Sequence, residues 1–301
     1  GGRRTRMRRA GLTRNVSAGS RNVRKARTTR GKTIPPILLI GAGHMGRALL
    51  EGWLNADLGP VVAVDPMPSP ALRALAKTRA LTICREIEAV FDQPARAAVV
   101  AVKPQILKTL APSLRPIADK GVPMVSIAAG FNMGAMTRAW GARASIVRAM
   151  PNTPGAIGQG ITALYAPTRT PPAARKLAET LLGALGQTIW VKREAQVDAA
   201  TAVSGSGPAY VFLLVEALTA AGVAQGIPAR DAARFARQTV VGAGALLAAS
   251  KSDASELRRN VTSPGGTTEA ALSILMDKDG LARLMARAVA AATARARELS
   301  A

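Results

Sequence analysis

Ile37-Leu38-Leu39-Ile40-Gly41-Ala42-Gly43-His44-Met45-Gly46 decides the reading of this chain. Four consecutive apolar residues run into a glycine-rich turn, and the segment beyond it, 46–55, has the pattern of a helix. An unalternated apolar run of this length is what a strand buried on both faces requires. In such a strand–turn–helix the first glycine permits the tight turn, and the second lets backbone approach a pyrophosphate. The third allows close helix–strand packing. The amides that open the helix then face the phosphates. Gly41, Ala42, Gly43, His44, Met45 and Gly46 are therefore read as a dinucleotide cradle. His44, the one histidine of the chain, occupies a slot in such loops that tolerates many side chains, so it is read as part of the cradle rather than as a base.

The same alternation continues outward. Short apolar runs recur at 61–64, 97–102, 123–129 and 145–150, with weaker ones at 161–166 and 188–191, and helical segments such as 71–77 and 106–114 lie between them. Strand–helix alternation implies a doubly wound, mostly parallel sheet, an α/β architecture. After about residue 195 the strand signal stops. The remainder of the chain reads as helices over 208–224, 229–249, 254–261, 267–276 and 281–299, with Pro208 and Pro228 at first-turn positions. The expected organisation is a tail over 1–33, an α/β dinucleotide domain over 34–195 and an all-α domain over 196–301.

Asp65 ends the second run, where an acid commonly accepts the adenosine ribose hydroxyls and repels a 2′-phosphate, which leans the cofactor towards NADH over NADPH. Arg73 and Lys77 follow nearby and could restore phosphate binding. Two more segments fall at the carboxyl ends of strands, where open sheets bind ligands: Ala101-Val102-Lys103-Pro104 and Ala128-Ala129-Gly130. Lys103, standing before a helix start, is read on the cofactor side rather than as a surface lysine.

Composition bounds the rest. With 301 residues, 48% hydrophobic and 20% charged, the chain is globular and long enough for two domains. The net charge of +23 is unevenly spread: residues 1–33 hold twelve of the 41 basic residues and none of the 18 acidic ones. That segment lacks apolar periodicity, so a tail without packed structure is expected. A nucleic-acid arm, an organellar targeting segment or a stretch of no specific function are its alternatives. Beyond it no interleaved aromatic–basic pattern occurs, which disfavours a nucleic-acid partner. One cysteine, Cys84, excludes an internal disulfide framework and a cysteine-cluster metal site, and makes a reducing, cytoplasmic compartment the expectation. The apolar window 207–226 is about long enough to cross a bilayer. Glu216 at its middle favours a buried helix of a protein outside the membrane.

Three later segments join turn residues to helix starts: Met150-Pro151-Asn152-Thr153-Pro154, Ser204-Gly205-Ser206-Gly207-Pro208 and Ser263-Pro264-Gly265-Gly266-Thr267-Thr268-Glu269. The last exposes helix-start amides and two hydroxyls. It reads either as a carboxylate clamp or as an ordinary capped helix with Thr as N-cap and Glu269 in the first turn.

Taken in order, Gly-Ala-Gly-His-Met-Gly, Ala-Val-Lys-Pro, Ser-Ile-Ala-Ala-Gly, Arg-Ala-Met-Pro-Asn-Thr-Pro, Val-Ser-Gly-Ser-Gly-Pro-Ala-Tyr and Ser-Pro-Gly-Gly-Thr-Thr resemble the motifs of the pyrroline-5-carboxylate reductases, over residues 36 to about 299. The resemblance implies a Rossmann domain followed by a helical domain through which two subunits interlock, as a dimer or a ring of dimers. It implies reduction of 1-pyrroline-5-carboxylate to proline by NADH or NADPH. By motif it assigns the cofactor to 41–46, 101–104 and 128–130, with Asn260 as a contact from the helical domain. It places the substrate against Gly266, Thr267 and Thr268, with Thr268 at the ring nitrogen, and an acid near the substrate at Glu194. The rival family of β-hydroxyacid dehydrogenases shares this organisation but uses a lysine in the first long helix of the second domain, and 208–224 contains none.

Overall fold

Ile37–Ile40 forms the first strand, β1, with all four side chains buried, in a computed structural model that describes residues 34–300. The tail expected over 1–33 lies outside the described residues. Strands β2 (Val61–Val64), β3 (Leu81–Cys84), β4 (Ala97–Val100), β5 (Met124–Ser126), β6 (Ile146–Met150), β7 (Gly160–Tyr165) and β8 (Gly186–Trp190) complete one eight-stranded sheet. Its order is β3-β2-β1-β4-β5-β6-β7-β8. β1 to β6 are mutually parallel, each register bringing equivalent strand ends level. The chain winds outward from β1 to β3, then returns to the other side of β1 with β4. The switch point, where a crevice must open, therefore lies between the carboxyl ends of β1 and β4.

Alternate residues of β1 serve opposite layers. Ile37 and Leu39 pack with Leu49, Leu50 and Trp53 of α1 (His44–Asn55), Leu72 of α2 (Pro70–Thr78) and, from later in the chain, Leu181 in the helix 172–183. Leu38 and Ile40 pack with Leu107 of α3 (Pro104–Leu110), Ile117 of α4 (Arg115–Asp119) and Met136 and Trp140 of α5 (Met133–Trp140). Each such aliphatic side chain contributes about 1.5–3 kcal/mol on burial, which is why the two-sided runs settle the sheet. The indoles find backbone acceptors: Trp53 Nε1 donates to Leu181 O at 2.7 Å and Trp140 Nε1 to Ala111 O at 3.0 Å.

The mostly parallel sheet holds one strand more than the predicted runs and one antiparallel pair. β3 has no counterpart among the predicted runs, because Leu-Thr-Ile-Cys is a short, part-exposed edge strand without a continuous apolar signal. β7 is antiparallel to β6, since the chain between Met150 and Gly160 is too short for a crossover and can only double back. The helix α6 (Pro172–Gly183) then carries a parallel crossover to β8.

Beyond β8 the described residues are helical: α7 (Ala195–Ala200), α8 (Gly207–Ala224), α9 (Ala229–Ala249), α10 (Ala254–Asn260), α11 (Thr267–Leu275) and α12 (Leu281–Ser300). The helix expected to begin at Pro208 begins earlier, since α7 and α8 are joined by a π turn over Thr201–Gly205 into one stretch, Ala195–Ala224. The amide of Ser206 donates to the carbonyl of Thr201, five residues back, at 2.8 Å. This wide turn lets Pro208 enter near the start of α8 without breaking the helix.

The burial expected for 207–226 is not found within one protomer. α8 packs along α9 but has no buried residue, and Phe212, Leu213 and Phe235 are each more than 60% exposed. Exposed apolar side chains of α8, α9, α11 and α12 are far more numerous than a surface facing only water carries.

Candidate functional site

At the switch point the sheet opens into a cleft of about 480 Å³. Its floor is Gly41, Ala42 and Gly43 after β1 and Ala101, Val102 and Lys103 after β4, with Asp65 and Pro66 after β2 at one end. Seven of the predicted cofactor residues thus meet in one place.

The three glycines are there for distinguishable reasons. Gly41 has φ +91°, and a Cβ on it would stand 2.7 Å from Val102 Cγ1, so only glycine turns the chain here. A Cβ on Gly46 would collide with the carbonyl of Gly41, so this glycine lets α1 sit against the turn. Gly43 is different. A Cβ there meets nothing within 4 Å, and its φ of −65° suits any residue. Packing does not require glycine at 43; the open space in front of it does, if a ligand's phosphates are to reach the backbone. α1 has no acidic residue in its first turn and no side-chain cap on its first amides, and the same holds for α3, whose N-cap is Lys103. Two uncapped helix starts therefore converge on the cleft, an arrangement that favours anions. The residues present fit a dinucleotide.

Asp65 is held firmly. Its Oδ2 accepts from the amide of Ala42 at 3.1 Å and its Oδ1 from that of Met67 at 2.9 Å. Among the lining residues outside any motif are Arg85, just beyond β3, Ile87, and Ile106 and Leu110 of α3. Ile106, 54% exposed, offers an apolar face to a flat ring. Arg85 escaped sequence reasoning because β3 did; once β3 is placed, the residue after a parallel strand is a standard position to inspect. Arg73 and Lys77, the cations expected to serve here, are exposed on α2 and do not line the cleft.

The remaining predicted residues lie elsewhere. His44 is exposed at the start of α1, Met45 packs against the core and Pro104 opens α3. Ala128 is buried in the core, and Gly130, with φ +68°, leaves room for Leu299 of α12, whose carbonyl would stand 2.8 Å from a Cβ on it. Gly130 thus serves the packing of α12 in this structure. Gly266 is the N-cap of α11, with Thr267 and Thr268 in the first turn, and Glu269 Oε2 accepts from the amide of Gly265 at 2.7 Å. Of the alternatives for this segment, the N-cap is glycine rather than threonine, and no side chain caps the helix. Neither this turn nor Asn260, the last residue of α10, lines the cleft.

Glu194 belongs to a buried ionic cluster. Arg148 of β6, 3% exposed, donates through Nη1 to Glu194 Oε1 at 2.8 Å and through Nη2 to Asp198 Oδ1 at 2.7 Å. Glu194 Oε1 also accepts from the amide of Met133 at 2.7 Å, and Ser300 Oγ lies 3.3 Å from Arg148 Nη2. The cluster pins α7 and the end of α12 to the sheet. Asn152 makes a second tie. Its Nδ2 donates to Ser204 O at 3.1 Å and its Oδ1 accepts from the amide of Ile161 at 2.9 Å. The Ser204 carbonyl would bond residue 208 in a continuing helix, but Pro208 has no N–H, so Asn152 takes that place. Among the described residues no group of histidine, cysteine and carboxylate side chains could hold a metal ion.

Comparison with known proteins decides the family. Residues 194–299 match the family model for pyrroline-5-carboxylate reductase dimerisation, and residues 36–130 match that described as NADP oxidoreductase coenzyme F420-dependent. The pyrroline-5-carboxylate reductase of Pseudomonas aeruginosa is 39% identical over 269 residues, 88% of this chain and 97% of that protein. The chain belongs to the pyrroline-5-carboxylate reductase family. The relative from Pisum sativum is 35% identical over 87% of the chain and 94% of its own length. Among solved structures, that of the Coxiella burnetii pyrroline-5-carboxylate reductase superposes with a TM-score of 0.80 at 33% identity, covering 90% of this chain and all (100%) of that one. That of the Plasmodium falciparum pyrroline carboxylate reductase, which has NADP bound, gives 0.75 at 27% identity with the same coverage. The dimerisation match takes in α7 to α12, among them the elements whose apolar faces are exposed in the single chain.

Proposed function

We propose that this chain reduces 1-pyrroline-5-carboxylate to proline with NADH or NADPH. The observation that carries the reading is the glycine cleft at the switch point, in a chain that aligns over 97% of the length of a pyrroline-5-carboxylate reductase. When bound, the reduced nicotinamide supplies the hydride for the C=N carbon. The chain's own residues bind and align. The amides of Gly41 to Gly46 hold the pyrophosphate, Asp65 and Lys103 flank the adenosine half, and Ala128–Gly130 and Asn260 border the nicotinamide half. The amides of Gly266 to Thr268 hold the substrate carboxylate, and the hydroxyl of Thr268 holds the ring nitrogen. No strong general acid stands among these groups, so the imine binds protonated or takes its proton from water, and rate comes from alignment. Glu194, engaged by Arg148, acts on the substrate end by positioning α7.

The division of labour runs along the chain: residues 34–195 serve the cofactor and 196–301 the substrate and the dimer. In one protomer the turn at 266–268 lies outside the cleft lining, and the apolar faces of α8 and α9 await a partner. A second copy of this chain completes the site, and rings of such dimers are the larger assembly. The proposed setting is cytoplasmic, with the apolar stretch of α8 buried between subunits rather than in lipid. The test is steady-state oxidation of NADH and of NADPH with 1-pyrroline-5-carboxylate, alongside direct dinucleotide binding. Protein that neither oxidises nor binds either dinucleotide would refute the reading.

A further inference from the structure

One cation in the cleft has no part in the roles assigned above. Arg85 directly follows Cys84, the last residue of β3, and Cys84 is in register with Val64 at the end of β2. The amide of Asp65 donates to the carbonyl of Cys84 at 3.0 Å. Asp65 and Arg85 are therefore neighbours at adjacent strand ends, and both line the cleft. Opposite charges so placed would ordinarily pair. They do not: none of the ion pairs among the described residues joins them. The reason is in the backbone. Both oxygens of Asp65 are taken by amides, Oδ2 by Ala42 in the glycine turn and Oδ1 by Met67. The carboxylate is thereby held by backbone amides, and the exposed Arg85 lines the cleft outside any of these ion pairs.

A fixed carboxylate alone would repel a 2′-phosphate on the adenosine ribose. With Arg85 beside it and Lys103 also lining the cleft, the three side chains sum to a positive charge. A guanidinium matches a phosphate as a planar, two-pronged donor and keeps its charge at any working pH. We propose that Arg85 holds the 2′-phosphate of NADPH and so admits this cofactor in spite of Asp65. The proposal rests on the dinucleotide reading of the cleft and specifies which dinucleotide it accepts. It assigns the cation to the end of β3, where neither the glycine motif nor the segment after β2 would place it.

The test is titration calorimetry on the full chain with two adenosine fragments, 5′-AMP and adenosine 2′,5′-bisphosphate. Wild-type protein is expected to bind both, the bisphosphate at least as tightly. Arg85→Met should weaken the bisphosphate by roughly 10- to 100-fold, the loss of a charge-assisted hydrogen-bonding partner. It should leave 5′-AMP within about twofold, below the energy of one lost hydrogen bond. Equal effects on both fragments, or none on the bisphosphate, would overturn the role of Arg85, as would wild-type protein that binds 5′-AMP and rejects the bisphosphate. Wild-type protein that binds neither fragment would remove the dinucleotide reading itself. Since Arg85 is exposed and bonded to nothing in the fold, its replacement should leave the melting temperature unchanged, which a thermal scan of the same samples checks.

Discussion

Gly43→Ala separates what the glycine turn does for the fold from what it does for the ligand. In the folded protein the new methyl meets no atom within 4 Å, and the backbone, at φ −65°, is already where alanine is comfortable. The substitution loses the modest advantage of glycine over alanine as an N-cap, about 0.5–1 kcal/mol. Against that stands a similar gain, about 0.4–1 kcal/mol, from the smaller freedom of the unfolded chain. The two nearly cancel, so the melting temperature should move by no more than about 2–4 °C. The ligand meets a different situation. The methyl fills the space through which phosphates reach the helix-start amides, and loss of one charged-group hydrogen bond there is worth about 1.5–3 kcal/mol. Dinucleotide affinity should therefore fall roughly 10- to 150-fold. Calorimetric Kd values for NADH and NADPH, with a thermal scan, decide the matter. Gly46→Ala is the control, because its methyl strikes the Gly41 carbonyl and should destabilise the protein before any ligand is added. Unchanged affinity in stable Gly43→Ala protein would show that the phosphates do not lie against this turn. Unfolding of that variant would show that the turn is packed differently.

Arg148→Met strands two carboxylates, Glu194 and Asp198, and should cost about 3–5 kcal/mol in urea unfolding; adding Asp198→Asn should cost less than the two changes summed. Asn152→Leu leaves the Ser204 carbonyl and the Ile161 amide without partners, a loss of roughly 2–5 kcal/mol by thermal or urea unfolding. Thr268→Ala should lower turnover about 10- to 100-fold. If the site spans two copies, mixing that variant with Gly43→Ala after reversible dissociation should restore about a quarter of wild-type activity, since half the dimers then hold one intact site; no recovery would place both groups in one protomer. Asp253, the N-cap of α10, has its carboxyl held below the ordinary range by the amide of Glu256 and then by the hydroxyl of Ser255. Its contribution is present above the unfolded carboxyl range and is lost as pH falls through the lower folded value. Carboxyl NMR should show that depressed titration, and Asp253→Asn should abolish the acid fraying of α10.

Much of the sheet and the cofactor turn was legible in local sequence. Runs such as Ile37–Ile40 and Val61–Val64 are apolar on both faces, and a chain can bury both faces of a strand only inside a layered sheet. The turn at 41–46 announces itself because three glycines stand directly between an apolar run and a helical segment, and at Gly41 the positive φ itself requires one. Where the signal failed, the cause was a partner distant in sequence. β3 is too short and half exposed to declare itself, and with it went Arg85. The π turn hides behind Pro208, because the freed carbonyl of Ser204 is satisfied by Asn152, 52 residues away along the chain.

The sequence by itself determined most of the strands and helices, the glycine turn and the motifs that carry the family, since each rests on neighbours along the chain. Tertiary structure alone decided that Gly130 makes room for α12, that Glu194 answers to Arg148, and that Asp65 turns from Arg85 towards two amides. These are competitions among several partners for one polar group or one volume, and their outcome depends on distances that only the folded chain sets.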